Sequence, residues 1–258
     1  MSTPSSSNFL LGAGKVLFDR WTTAGASTGL RHLGNVPKFE LSQETTKITK
    51  NSAMYAAKST LLEVVSKISS SLTLTLDEIV PENIAMAFLG EEGVITQVAG
   101  AVTDESHTAH KSRFLQIDSF GVKSTGLILT DAAGTVTYLA GTDYTLDETL
   151  LRAGMIYIPE SSSIVEAATV LVDYTRPAGA YPSVAGAAVG SVEGYMFFAG
   201  DPTKGPCYTA DFWHVSISPN GALGFISEEL TSFDISVSIW DDREKHPSYP
   251  QFRAIKIA

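Results

Sequence analysis

The chain has 258 residues, of which 44% are hydrophobic and only 18% charged, and its 18 basic against 28 acidic residues give a net charge of -10. That length buries a sizeable core in one large or two modest domains, and the low charge with abundant Ser, Thr, Ala and Gly favours a mainly β fold. The acidic balance argues against a protein that grips phosphate backbones, and the single cysteine, Cys207, excludes an internal disulfide framework and a multi-cysteine zinc site.

The opening MSTPSSSNFLLGAG has no basic leader, and no stretch approaches the roughly 18 apolar residues of a spanning helix, so folding in the cytoplasm is expected. Residues 1–8 are small and polar and read as a flexible arm. A first strand is expected at Lys15–Phe18, entered through Gly12-Ala13-Gly14, which lacks the third glycine and downstream acid of a dinucleotide fingerprint. After a glycine-rich loop around Gly25 and Gly29, Phe39 and Leu41 alternate with Glu40, Ser42 and Glu44. Residues 44–59 mix charge, small residues and Tyr55 without a sustained period, which predicts a long projecting loop.

From Ile68 to Gly90 the pattern changes from period two to helix period. Ile68, Leu72, Leu74 and Leu76 share one face of an extended segment, with Lys67, Ser69, Ser71, Thr73 and Thr75 on the other. Asp77 and Glu78 break the alternation, and Pro81 suits a first helical position, where its missing N–H costs nothing. A short helix is expected at about 81–89, with Ile84, Ala87 and Phe88 as its apolar stripe, Glu82 at its positive end and Gly90 as a left-handed stop.

Residues 99–112 contain Asp104, Glu105, His107 and His110 but no clear period, which predicts a connection. The histidine spacing of three is not that of HExxH, so an exposed polar loop is favoured over a metal site. Short apolar runs then follow at Leu127-Ile128-Leu129, Val136-Thr137-Tyr138, Tyr144-Thr145-Leu146, Met155–Ile158 and Val170-Leu171-Val172, with turn signals at roughly 8–12-residue spacing. They predict an inserted small β module at 114–176, between segments 1–113 and 177–258. Pro177-Ala178-Gly179-Ala180-Tyr181-Pro182 reads as a linker out of it.

Further on, Trp213, Val215 and Ile217 alternate with His214, Ser216 and Ser218. The clearest strand pattern is Phe233, Ile235, Val237 and Ile239 against Ser232, Asp234, Ser236 and Ser238. Residues 241–247 read as a solvated turn, and Phe252, Ile255 and Ile257 as a terminal arm. The carboxylate pairs Asp77-Glu78, Glu91-Glu92 and Asp241-Asp242 fall beside turns, where adjacent acids point apart and are solvated rather than paired for catalysis. Cys207 has no nearby histidine, and no nucleophile elbow accompanies it. No catalytic constellation is visible, and no cofactor or metal is expected.

The threonine-leucine strand, its acidic turn and the run Glu82-Asn83-Ile84-Ala85-Met86-Ala87-Phe88-Leu89-Gly90 resemble phage major tail tube proteins. So do Gly12–Phe18 and Leu33–Leu41, which look like that family's first two strands, together with Gly194–Phe198 and Trp213–Pro219. The resemblance covers both ends of the chain and leaves the middle out. It implies a β-sandwich or barrel subunit that forms hexameric rings stacked into a tail tube, a structural virion protein and not an enzyme. In that family, strands from a ring of subunits join into one large barrel whose wet face lines a channel. The channel-lining residues implied here are Glu40, Ser42, Glu44, Ser69, Ser71, Thr73, Thr75, Ser232, Asp234, Ser236 and Ser238. Lys47, Lys50, Met54, Tyr55 and Lys58 are the expected ring-stacking loop, with the two terminal arms as further ring contacts and the inserted module on the outer surface.

The partners implied are further copies of the chain, tail terminator, tape-measure and baseplate or tail-tip proteins, and a sheath if the tail contracts. DNA would pass through without specific binding, and no membrane is involved. A different class remains open: a β-rich surface binding module such as an adhesin or carbohydrate-binding protein, for which Tyr138, Tyr144 and Tyr157 are the candidate contacts.

Overall fold

The computed structural model describes residues 5–54, 56 and 58–257, and the chain divides into two compact units, 1–93 with 184–258, and 94–183. The protein is mainly β with little helix, and among the described residues no sheet closes into a barrel. The second unit reaches beyond the expected module limits of 114 and 176, because it also takes in the strand at Gly100–Ala109 and the segments that lead into and out of it. Both crossings between the units fall inside β5 (Glu91–Gln97) and β11 (Gly179–Ala185), which pair as a separate two-stranded sheet. The expected Pro/Gly linker at 177–182 therefore runs into a strand.

The first unit is built on an eight-stranded sheet. Its strands are β1 (Gly14–Arg20), β2 (Arg31–His32), β3 (Lys38–Asn51), β4 (Thr60–Leu76), β12 (Val192–Gly200), β13 (Tyr208–Pro219), β14 (Phe233–Ile239) and β15 (Phe252–Lys256). They run in the order β2-β1-β12-β13-β14-β4-β3, and β15 pairs with the first half of β13. Leu72, Leu74 and Leu76 from β4, and Phe233, Ile235 and Val237 from β14, are buried on one face with Val215, Met196 and Phe18. Each of these larger side chains contributes roughly 1.5–3 kcal/mol on leaving water. The period-two reading of β4 and β14 holds in this half of the sheet, except that Ile68 is 52% exposed and Ser70 is buried in its line instead.

Helix α1 (Pro81–Ala87) closes one side of this core and stops two residues short of the expected end. Its buried residues are Asn83, Ala85, Met86 and Ala87, while Ile84 is only half-buried, so the stripe is rotated from Ile84 toward Met86. Asn83 is fully buried and fully used: its amide donates to the carbonyls of Leu33 and Glu78 at 3.1 and 3.0 Å and accepts from Arg31 at 2.9 Å. A polar side chain on the inner face therefore sets the register, which an apolar periodicity does not reveal. The left-handed residue is Leu89, at φ 50°, and not Gly90. Gly90 is needed for close approach, because a Cβ there would lie 2.7 Å from the Ala185 carbonyl oxygen.

Residues 44–59 are not a loop. Residues 44–51 complete β3 and pair with β4 from Glu44↔Ser69 to Asn51↔Thr60, with register shifts between Thr46 and Lys47 and between Lys50 and Asn51, so the pairing ends only at Asn51 and Thr60. Every residue of this hairpin from Leu41 to Asn51 and from Thr60 to Ile68 is exposed, so no one-sided burial imposes an alternation. The β-branched run Thr45, Thr46, Ile48 and Thr49 is the signal that marks it as strand. At the chain's end, Phe252–Lys256 is a paired strand, with Phe252 packed against the core, rather than a loose arm. At its start, Ser6–Asn8 form a single 3-10 turn, and residues 1–4 of the expected arm lie outside the described residues.

The second unit has a sheet of β6 (Gly100–Ala109), β10 (Ala168–Arg176) and β8 (Ile128–Asp131), and a pair of β7 (Arg113–Gln116) and β9 (Met155–Ile158). Helix α2 (Glu148–Leu151) is capped by Asp147, which accepts from the Thr149 and Leu150 amides. Leu115, Leu129, Ile156, Ile158, Val170 and Val172 share one core. The expected connection at 99–112 is mostly the ten-residue strand β6. A bulge opposite Val172/Tyr174 and the left-handed Asp104 break its alternation, which hides it from a period search. The runs at Val136 and Tyr144 make only isolated bridges.

Glu105 on β6 is the polar centre of this unit. It accepts from the Tyr174 hydroxyl, the Asp118 amide at 2.9 Å and His107. Burial pushes its carboxyl up, but the bonds from Tyr174, Asp118 and His107 outweigh this and hold it below the usual range. Burial and the same carboxylate push the Tyr174 hydroxyl up to about 12. A carboxyl depressed by folding stabilises above its unfolded pKa of about 4.3, and that contribution is lost as pH falls through the folded value. Glu105→Gln is therefore expected to cost this unit about 1–3 kcal/mol at pH 7 and to flatten its acid-side stability profile. Urea melts at pH 7 and pH 3 check this; an equally steep acid loss in both proteins would contradict it.

Candidate functional site

The polar face of the large sheet gathers the candidate residues of three separate segments. Strand pairing aligns Lys38 with Thr75 and Asp234, Glu40 with Thr73, Ser236 and Ser218, and Ser42 with Ser71, Ser238 and Ser216. Glu44 lies opposite Ser69 at the border, and Ser232 immediately precedes β14. These are cross-strand neighbours on the face opposite the core, because Leu72, Leu74, Ile235, Val237, Val215 and Ile217 occupy the alternate positions. The Thr75 hydroxyl donates to Asp234 at 2.5 Å, and the Ser42 and Ser71 hydroxyls are 2.9 Å apart.

Ser216 and Ser218 extend the rows, and Glu193 on β12 continues the serine row as the partner of Ser216. The alternation of His214, Ser216 and Ser218 carried this signal, whereas Glu193 sits beside a bulge between Gly194 and Met196 and had none. Acids Glu40, Glu44, Asp234 and Glu193 outnumber the lysines on these rows, Lys38 and Lys67. Lys38 is also bound to Glu40 at 3.1 Å. The face therefore offers hydroxyls and carboxylates with few unneutralised cations.

Beyond Glu193 the same face becomes aromatic. His214 bonds Glu193 at 2.9 Å and lies between Trp21 and Trp240, with ring centroids 5.0 and 4.7 Å away. Asp211 accepts from Tyr195 at 2.7 Å and from Arg253 at 3.0 and 2.8 Å, which fastens β15 to the sheet. Burial and the adjacent Asp211 push the Tyr195 hydroxyl far above its ordinary value. Asp19 is pushed up by burial, but bonds from Ser27, Gly29 and Thr28 hold its carboxyl below the usual range. Each of these groups has a structural partner.

The expected stacking residues are dispersed. Lys47 and Lys50 lie on β3 and point to opposite faces, with Lys47 paired to Glu63, while Met54 and Lys58 are in the turn and Met54 is 74% exposed. Tyr55 lies outside the described residues. Among its exposed polar residues the hairpin also presents apolar ones: Ile48 stands opposite Val64, and Leu61, Leu62 and Val65 are exposed too.

His107 and His110 are apart in chemistry, since His107 serves Glu105 and His110 bonds Glu166 at 2.8 Å. Among the described residues no group of three or more His, Cys, Asp or Glu side chains is placed to hold a metal. Of the tyrosines considered for ligand contact, Tyr144 is buried and bonds the Leu127 carbonyl, while Tyr157 packs on Phe114. No described helix is long and apolar enough to cross a membrane.

Residues 9–256 match the family described as protein of unknown function UCP028589, and the chain belongs to that family. No curated protein matches it.

Proposed function

We propose that this member of the family is a structural subunit of a phage tail tube, in which hexameric rings stack and the polar face of the eight-stranded sheet lines the channel. The observation that carries the reading is that one sheet combines in-register hydroxyl and acid rows with a long edge hairpin whose described residues from Leu41 to Asn51 and from Thr60 to Ile68 are all exposed. A two-stranded hairpin is marginal alone, and a fourteen-residue edge strand paired on one side only is a template for another chain. Continuation of the sheet across copies satisfies β3's free edge, covers the apolar pair Ile48 and Val64, and builds the large barrel that the single chain lacks. The finer tail-tube fold belongs to this proposal and rests on the sequence resemblance.

The mechanism is passive conduction. DNA is held where cations replace its counterions, and rows of serine, threonine, aspartate and glutamate supply none. Lys38 is tied to Glu40 and adds little grip. The protein does no covalent chemistry in this reading, resides in the virion tail after synthesis in the host cytoplasm, and meets terminator, tape-measure and tail-tip proteins at the tube ends. Negative-stain microscopy of the purified full chain tests the reading. Tubes with a stain-filled centre are expected; monomers at all concentrations that bind glycans would replace it with the surface-module reading.

A further inference from the structure

The connection between β13 and β14 exposes more apolar surface than any solvated turn requires. Phe225, Ile226 and Leu230 are 85%, 98% and 101% exposed, and they flank Glu228 and Glu229. The loop is nevertheless built. The Thr231 hydroxyl donates to the Gly224 carbonyl at 3.0 Å, the Glu229 amide donates to the Ser227 hydroxyl at 3.0 Å, and Leu223 at its base packs against the core. Three apolar side chains and two carboxylates are thus presented together on a fastened projection.

A cavity of about 560 Å³ lies at the far end of the same strands, lined by Val65, Lys67, Ile68, Arg243, Pro250 and Phe252 among others. Val65 and Ile68 are 48% and 52% exposed, so its apolar wall is unfilled by the chain itself. Asp241 also lines it and lies 3.3 Å from Arg243, so of the two lining cations Lys67 is the one without a carboxylate among the lining residues beside it, and the cavity carries a small positive excess. The loop leads into Phe233 at one end of β14, while Asp241 and Arg243 follow its other end at Ile239, roughly 20 Å along a seven-residue strand.

We infer that the 223–230 loop of one copy docks in this cavity of the next, joining copies head to tail along the strand direction. The two surfaces match in kind: apolar residues with carboxylates on one, an apolar wall with a small positive excess on the other. Because they lie at opposite ends of one sheet and not on a shared patch, the contact is heterologous and repeats as an open chain of copies. It deepens the tube reading by naming the contact between rings, and it rests on that reading only for the requirement that rings stack.

Disulfide trapping between two variants of the full chain tests it. In a Cys207→Ser background, Ile226→Cys and Val65→Cys proteins are mixed under mild oxidation, and the link is mapped by peptide mass. A 226-to-65 link between copies is expected. Reversing the charges with Glu228→Lys/Glu229→Lys, or with Lys67→Glu/Arg243→Glu, should weaken association about tenfold, and combining the two should restore it. Links only between two copies of residue 226, no link at all, or no restoration would overturn the docking. Tubes without the 226-to-65 link would overturn it while leaving the tube reading in place. Linked open chains without a hollow tube would uphold the docking and remove the tube reading.

Discussion

Tubes built from an Asp234→Lys/Ser236→Lys variant are expected to assemble normally and to deliver DNA at least tenfold less well at low salt. Both positions face away from the core, and Asp234 gives up only an exposed bond from Thr75, so folding should change by less than about 1 kcal/mol. Position 236 stands beside Thr73, which faces Glu40 in turn, so each new lysine joins an existing row. Repeated once per subunit, the lysines form basic rings that neutralise phosphates and release counterions. With about six phosphates engaged, DNA affinity would fall about a thousandfold between roughly 50 and 200 mM salt, so the defect should ease as salt rises. Ejection assays on particles shown to contain the variant, run across that range, measure it. Unimpaired delivery at low salt would remove this face from the bore, and loss of assembly would place it at a subunit contact.

Ile48→Asp/Val64→Asp is expected to abolish tube formation while the monomer stays folded. The two side chains are cross-strand partners, 64% and 49% exposed, on a hairpin whose described residues from Leu41 to Asn51 and from Thr60 to Ile68 are all exposed. Covering the half of each that is still exposed contributes about 1.5–3 kcal/mol for the pair, so their joint loss raises the concentration needed for assembly by about tenfold to a hundredfold. Burying two carboxylates in their place adds a further penalty. Light scattering against concentration, with circular dichroism as the folding control, reads both effects. Assembly at the wild-type concentration would mean that the hairpin is not a contact.

Much of the site was legible because one-sided burial writes itself into sequence. Leu72, Leu74, Leu76, Ile235 and Val237 had to alternate with something, and that something is the polar face. Its composition could be read, but not that Thr75 faces Asp234 or that Ser42, Ser71 and Ser238 share a row, since register comes from pairing at long range. The hairpin at 44–67 was illegible for the opposite reason: with both faces exposed, no period marks it. Strand β6 was hidden by a bulge, and the rotation of α1 by Asn83, a buried amide whose partners include the distant Leu33 carbonyl and Arg31 guanidinium. The 223–230 loop gave no periodic signal, and only its exposure set it apart.

Cryo-electron microscopy of the assembled full chain tests the central claim most directly. A hollow tube is expected whose inner wall carries the Ser42, Ser71 and Ser238 row and the Thr75 and Asp234 pair, with β3 joined edge to edge to a neighbouring subunit. An assembly with those residues on its outer surface, or with β3 unpaired, would contradict it.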